Sequence, residues 1–243
     1  MTTPILDKEN VLVIVPAFNE EASISRVLEQ LLRIDYRVLV VNDGSVDKTS
    51  LVAREAGAEV LELCLNLGVG GALRAGFQFA IRKNYRAVVQ FDADGQHPTE
   101  RIKDLIETAN KTRADLVVGS RFRDQRSTMK VSYSRRMIMR LLARSASRAV
   151  GSPITDATSG FRLIQGNLLA QFSQVFPSNY LGDTYEAMVS AGRADYSVVE
   201  IPTRMSDRLH GESSASPGQA IKFIIKGLLV AVLRLHSPIT NKL

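Results

Sequence analysis

The chain has 243 residues, 45% of them hydrophobic and 23% charged, with a formal net charge of +6; it is long enough for one sizeable core and has the balance of a folded globular protein, which excludes disordered and fibrous classes. A single cysteine, Cys64, excludes an internal disulfide framework and a cysteine zinc cluster; its apolar neighbours predict an ordinary buried thiol. The positive charge is local, since Arg121 to Arg148 carries nine basic residues and one acid, Asp124. Residues 1–10 lack a basic start followed by an apolar stretch, so neither a signal peptide nor an anchor is expected, and a cytoplasmic location follows as the default.

In chain order, the run Val11 to Val15 reads as a buried strand, Ser23 to Leu32 as an amphipathic helix and Arg37 to Val41 as a second strand. A helix after Asp47, a strand near Glu59 to Leu63, a helix from Val69 to Ile81 and a strand from Ala87 to Phe91 follow. A helix from Glu100 to Asn110 and a strand at Leu116 to Gly119 complete the alternation. This is a layered α/β pattern with short connections. Met129 to Val150 reads as a long basic helix, Gly151 to Gly160 as a polar turn segment leading to short elements, and Tyr196 to Ile201 as a strand. Ser206 to Gly218 reads as a loop. Gly218 to Leu235 is apolar but interrupted by Lys222, Lys226 and Arg234, which predicts a helix packed on the domain or lying at a membrane surface rather than a spanning one. The expected division is a main α/β domain over 1–217 and a C-terminal amphipathic or packing helix and tail over 218–243.

The sharpest local pattern is VVQFDADGQHP. A strand ending at Phe91 delivers Asp92 and Asp94 into a tight turn at the carboxyl edge, where open α/β sheets form ligand crevices. Two carboxylates one residue apart suit Mg²⁺ or Mn²⁺, with diphosphate oxygens completing a hard shell; the same residues also suit a plain solvent turn. Gln96 and His97 are nearby candidates for the metal or phosphate shell. Pro16, Asn19 and Glu20 follow the first strand and Asp43 the second. Asp43 suits a nucleoside contact or a turn, and Asp47 suits a helix cap. Asn66 and the glycines of NLGVGGALRAG suit a close backbone approach to a ligand, but as a dinucleotide signal this is weak, since neither GxGxxG nor a phosphate-loop ending is present.

Taken together, VIVPAFNEE, VNDGSVDKT, NLGVGGALRAG, FDADGQHP, VVGSRF and ITDATSGFRLI resemble the family 2 glycosyltransferases of the GT-A fold, and within them the dolichyl-phosphate mannose synthase and polyprenyl-phosphate hexose transferase group. The resemblance implies an α/β nucleotide-diphospho-sugar transferase fold with a mostly parallel central sheet flanked by helices. It implies a nucleoside pocket lined by Pro16, Phe18, Glu20 and Asp43, and a metal and diphosphate site at Asp92, Asp94 and Gln96. Arg121 falls near donor or acceptor phosphates, and Asp156, Ser159 and Arg162 face the acceptor phosphate and the reacting sugar. Asp183 and Glu186 lie where broader relatives place acceptor or base carboxylates. Arg204, His210 and Ser213 correspond to a segment that closes over donor phosphates; the lysine that follows the serine in that group is Ser214 here, which shifts attention to Arg208 or the basic helix.

The implied reaction is inverting transfer of a hexose, mannose from GDP-mannose first and UDP-glucose close behind, to a polyprenyl or dolichyl phosphate, with Asp94, Asp156, Arg162 and Arg204 carrying the chemistry. Alternatives are a soluble family 2 enzyme acting on a sugar, glycan or small-molecule hydroxyl, and a non-catalytic nucleotide-sugar-binding protein. The basic helix and apolar tail leave open peripheral contact with an anionic membrane at its cytoplasmic face, as well as homo-oligomerisation. A nucleic-acid partner is not expected beside an acidic crevice.

Overall fold

The structure is a computed structural model and describes residues 5–123, 133–177 and 183–204. Among these residues seven strands form one sheet: β1 (Val11–Ala17), β2 (Arg37–Asn42), β3 (Glu59–Glu62), β4 (Ala87–Gln90), β5 (Leu116–Ser120), β6 (Arg162–Gln165) and β7 (Val198–Pro202), in the order β3-β2-β1-β4-β6-β5-β7. Among the described residues seven helices flank it: α1 (Ile24–Arg33), α2 (Thr49–Glu55), α3 (Gly68–Arg82), α4 (Ile102–Thr112), α5 (Tyr133–Val150), α6 (Gly166–Gln174) and α7 (Asp183–Arg193). A 3-10 turn, Thr99–Arg101, leads into α4.

Successive strand side chains point to opposite faces, and here both faces are covered. Leu12, Ile14, Leu39, Val41, Val88, Leu116, Val118 and Ile164 pack with residues of α3, α5, α6 and α7. Val11, Val13, Val15, Val38, Val40, Val89, Val117 and Leu163 pack with α1, α2 and α4. Double burial explains why the strands read as continuous apolar runs rather than alternating ones. α3 approaches the sheet closely because Gly76 has no side chain: a Cβ there would lie 2.8 Å from Ile14 Cγ2. At this position the glycine cluster serves helix-to-sheet packing.

Two expectations are corrected. β6 is a central strand that the sequence reading left among short elements, and it runs antiparallel to both neighbours, β4 and β5. It is only four residues long and begins with a fully buried arginine, which breaks the apolar pattern by which its neighbours were found. Cys64 is exposed, not buried; it lies just beyond β3, an edge strand none of whose residues is fully buried.

The reversal at β6 decides where the site lies. β1 pairs in parallel with β2 and β4, β2 with β3, and β5 with β7, while β6 opposes both β4 and β5. Six strands therefore share one direction. The carboxyl ends of β1, β2, β4, β5 and β7 and the amino end of β6 meet at a single edge of the sheet. The chain leaves β1 toward β2 on one side and pairs with β4 on the other, so a topological switch point lies between β1 and β4 at that edge.

Candidate active site

The first wall is built from the loops after β1 and β2, which lock together. Asn19, in the left-handed region at φ 56°, donates its N–H to Ser45 Oγ at 2.9 Å and accepts from Val46 N–H at 3.0 Å through its side chain. Glu20 N–H donates to Thr49 Oγ1 at 2.8 Å, and Glu21 accepts Lys48 N–H at 2.7 Å. Asp47 accepts Thr49 N–H at 3.0 Å from one residue before Lys48, the N-cap of α2; burial works against its charge, but its hydrogen bonds hold it below the usual carboxylate range. Pro16 is half-buried, Phe18 exposes 46% of its surface at the mouth, and Glu20 accepts from Ser23 Oγ.

Asp43 is buried and accepts Leu67 N–H at 2.7 Å; burial raises its pKa, and bonds from the Leu67 and Gly68 backbone work against the rise. Gly44, at φ 72°, lies so close to the next loop that a Cβ would sit 2.9 Å from Asn66 N. The carboxylate thus ties the loop after β3 to the end of β2. Asn66 itself accepts Gly68 N–H at 3.0 Å, a turn-forming contact.

The end of β4 forms the centre. Asp94 is 9% exposed and accepts Gln96 N–H at 3.0 Å across the turn at Gly95, whose φ of 73° favours glycine. Asp92 keeps 37% of its side chain accessible and takes a 2.9 Å hydrogen bond from His97 Nε2. Burial opposes its charge, but His97, the Arg162 guanidinium and the Gln90 amide together hold it below the usual carboxylate range. Gly160 presses on the same carboxylate: a Cβ there would lie 2.8 Å from Asp92 Oδ2 and 3.1 Å from Oδ1. Gly160→Ala is therefore expected to turn the Asp92 carboxylate and to lower kcat/KM by about tenfold, the effect of misplacing a reacting group by well under an ångström, while the melting temperature changes little. Parallel kinetics and thermal melts check this.

The far wall is a polar network. Asp156 is 1% exposed and makes a two-pronged pair with Arg121, Nε to Oδ2 at 2.7 Å and Nη2 to Oδ1 at 2.8 Å. It also accepts Arg121 N–H at 3.1 Å and Thr158 Oγ1 at 3.1 Å. Burial opposes the charge of Asp156, and Arg121 holds it well below the usual range. Both carboxylate oxygens of Asp156 are thus engaged by Arg121. Asp156 is held in turn by Glu200 of β7, which accepts Asp156 N–H at 2.8 Å, Thr155 N–H at 2.9 and 3.0 Å and Thr155 Oγ1 at 2.8 Å. Sequence reasoning missed Glu200; the available signal was an acid inside the apolar run VVEI.

Arg162 is fully buried, which removes it from the crevice surface. It leaves β6 opposite Gln90, donates from Nε to Gln90 Oε1 at 2.8 Å and from Nη1 to Thr184 O at 3.3 Å, and stacks over the Phe176 ring at 5.5 Å. Burial works against its charge and Asp183 and Asp92 support it. Burial also raises the pKa of Asp183, with Arg162 acting in the opposite direction. Ser159 is buried and accepts Phe161 N–H at 3.3 Å, a turn contact. Arg204 is exposed beyond β7, on the same edge as Arg121. His210, Ser213, Arg208 and Ser214, the loop 206–218, the helix 218–235 and the domain boundary at 217 lie outside the described residues.

Asp92, Asp94 and Gln96 fit a hard divalent cation as oxygen donors, provided a diphosphate supplies further ligands. Among the described residues no group of three or more His, Cys, Asp or Glu side chains converges on one point, so the protein alone offers a partial shell. A cleft of about 560 Å³ opens at the opposite edge of the sheet, lined by Glu9, Arg37, Glu59 and Tyr85 among others. It holds mixed charges without the convergent carboxylates and guanidinium of the carboxyl edge, where the switch point lies. No helix among the described residues is long and apolar enough to cross a membrane. Arg140, Arg144 and Arg148 form an exposed stripe along α5, the geometry of a solvated face.

Comparison with known proteins fixes the wider relationship. The model of glycosyl transferase family 2 matches residues 12–171. An undecaprenyl-phosphate mannosyltransferase of Micrococcus luteus is 31% identical over 216 residues, covering 86% of this chain and 88% of that protein. A UDP-N-acetylglucosamine--dolichyl-phosphate N-acetylglucosaminyltransferase of Methanococcus voltae is 26% identical over 210 residues, 79% and 84% of the two chains. Glucosyl-3-phosphoglycerate synthase of Mycobacterium tuberculosis, solved with Mn²⁺, UDP-glucose and phosphoglyceric acid, shares the fold with a TM-score of 0.64 at 18% identity, covering 100% of this chain and 94% of that one.

These findings overturn the expectation of mannose transfer from GDP-mannose to a polyprenyl or dolichyl phosphate. The synthase of this fold was solved with UDP-glucose and phosphoglyceric acid, and the sequence relatives do not share one donor sugar. With the switch point between β1 and β4 and the edge motifs from Pro16 to Arg162 inside the matched region, the chain belongs to glycosyl transferase family 2 and has the GT-A architecture.

Proposed function

We propose that this protein transfers a hexosyl group from a UDP-sugar, with UDP-glucose the first donor to test, to a hydroxyl of a small anionic acceptor, assisted by Mg²⁺ or Mn²⁺. The observation that carries the reading is the meeting of Asp92 and Asp94 with Arg121 at one sheet edge, close enough for the Asp92 charge to act on the Arg121 guanidinium. Pro16, Phe18, Glu20 and Asp43 take the nucleoside side of the crevice, where the exposed Phe18 ring offers a stacking surface. Asp92, Asp94 and Gln96 hold the cation, which when bound offsets the negative charge gathering on the departing diphosphate.

Arg121, held rigid by Asp156, and Arg204 present guanidinium groups to phosphate or carboxylate oxygens of donor and acceptor. Ser159 shapes the turn that carries Gly160 against Asp92. Arg162 supports Asp92 from inside the protein. A hydroxyl acceptor must lose a proton, and Asp183, with its pKa raised by burial, and Glu186, in the same first turn of α7, are the carboxylates assigned to receive it. The Mn²⁺-bound synthase that shares the fold supports both the cation and the donor class.

The test is product formation by mass spectrometry with UDP-glucose or GDP-mannose as donor and 3-phosphoglycerate, a free sugar or a short polyprenyl phosphate as acceptor, with Mn²⁺ or with chelator. The expected product needs UDP-glucose, forms on a small hydroxyl acceptor and disappears with chelator. A folded protein that yields product only with GDP-mannose, or only on the lipid phosphate, overturns the reading.

A further inference from the structure

The imidazole of His97 is placed in a way that the metal and donor reading leaves unused. It is 5% exposed, so it presents almost nothing to a ligand. Phe161 stacks on one face, with ring centroids 5.2 Å apart and planes 26° apart, and Phe91 meets it edge-on at 5.3 Å and 78°. Phe91 and Phe161 also contact each other at 6.0 Å. The ring is therefore fixed in both position and rotation. Its polar contact is Nε2 to Asp92 Oδ2 at 2.9 Å, while among the described residues Nδ1 is buried without a hydrogen-bond partner. An ionised carboxylate only accepts, so Nε2 carries the proton and donates.

Leaving Nδ1 buried without a partner carries a desolvation cost, an arrangement that ordinary core packing would not select. A phenylalanine would fill the same aromatic layer without that cost. What the imidazole adds is a directional N–H at one oxygen of Asp92, on the side opposed by Gly160. We infer that His97 is a positioning residue that fixes the rotation of the Asp92 carboxylate, presetting it toward the divalent cation and donor diphosphate without touching either. The inference rests on the proposed metal role of Asp92. It explains how a side chain with 37% of its surface accessible keeps a single orientation before the ligand arrives.

The experiment measures Mn²⁺ affinity by electron paramagnetic resonance of the free ion in the presence of UDP, without turnover, for the wild type, His97→Phe and His97→Gln, each checked by thermal melting. His97→Phe keeps the aromatic packing and removes the donor; it is expected to weaken Mn²⁺ binding by about 10-fold or more, the usual effect of losing a group that orients a metal ligand. His97→Gln restores an N–H at similar reach and is expected to recover most of the affinity. In turnover, excess Mn²⁺ is expected to restore kcat of the phenylalanine variant. Wild-type affinity in His97→Phe overturns the inference and leaves the metal site standing, whereas absence of Mn²⁺ binding by the wild type with UDP overturns the metal site and the inference with it. Where His97→Phe fails to fold, His97→Leu supplies the donor-free comparison, with the same two outcomes.

Discussion

Replacing Asp92 and Asp94 together by alanine is expected to lower kcat/KM for UDP-sugar transfer by at least about 10³-fold, some 4 kcal/mol of transition-state stabilisation. The two side chains lie on one turn and would share one cation with Gln96, so either single change removes one of the two charged donors and the double change leaves only a neutral one. The Asp92 component also has a structural cost. His97 Nε2 loses its acceptor and the buried Arg162 guanidinium loses one of two supporting carboxylates. Asp92→Asn with Asp94→Asn separates the effects, because the amides preserve volume and one acceptor each while removing the charge that holds a cation. Activity should fall for both double variants, with the asparagine form melting closer to the wild type. Full transfer by a folded double variant would remove the metal role from these residues.

The second large effect is on stability and comes from Asp156. Asp156→Ala leaves Arg121 as a mostly buried guanidinium without its counter-charge and is expected to destabilise the protein by about 3–5 kcal/mol, the range for breaking a buried pair from one side. The sign of the accompanying pH dependence follows from linkage. The folded-state pKa of Asp156 lies below its unfolded value, so its contribution is complete above the unfolded value of about 3.9 and is lost as pH falls through the lower folded one. Denaturant melts of the wild type are expected to lose stability on the acid side of that value, and Asp156→Asn is expected to show a shallower acid limb from a lower starting stability. An acid limb of unchanged slope would show that the pair does not contribute in the way its geometry indicates. Both measurements are independent of donor, acceptor and metal.

The layered architecture was legible because double burial writes strands as short β-branched runs and helices as amphipathic stretches. Val11 to Val15, Arg37 to Val41 and Leu116 to Gly119 all match observed strands closely. The carboxyl-edge motifs were legible because a strand end followed by Asp, Gly and Asn marks a loop rich in polar groups at a known place in such sheets. β6 was not legible. Its first residue is an arginine whose burial depends on Gln90, Asp92, Phe176 and Asp183, residues scattered over nearly a hundred positions of sequence.

The sequence by itself determined the fold class, the edge of the sheet on which the chemistry lies, and the kind of groups gathered there, because periodicity and turn residues are local properties. Only the tertiary structure decided which of those groups face the crevice and which hold others in place. Asp156 is spent on Arg121, Glu200 on the loop that carries Asp156, and His97 on Asp92. Arg162 lies inside the protein. The physical reason is that a charged side chain takes its role from its partners and its exposure, and both are set by chain segments far away in sequence. The antiparallel insertion of β6 between β4 and β5 brings Gly160 against Asp92 and Arg162 behind it, a contact that neither motif contains alone.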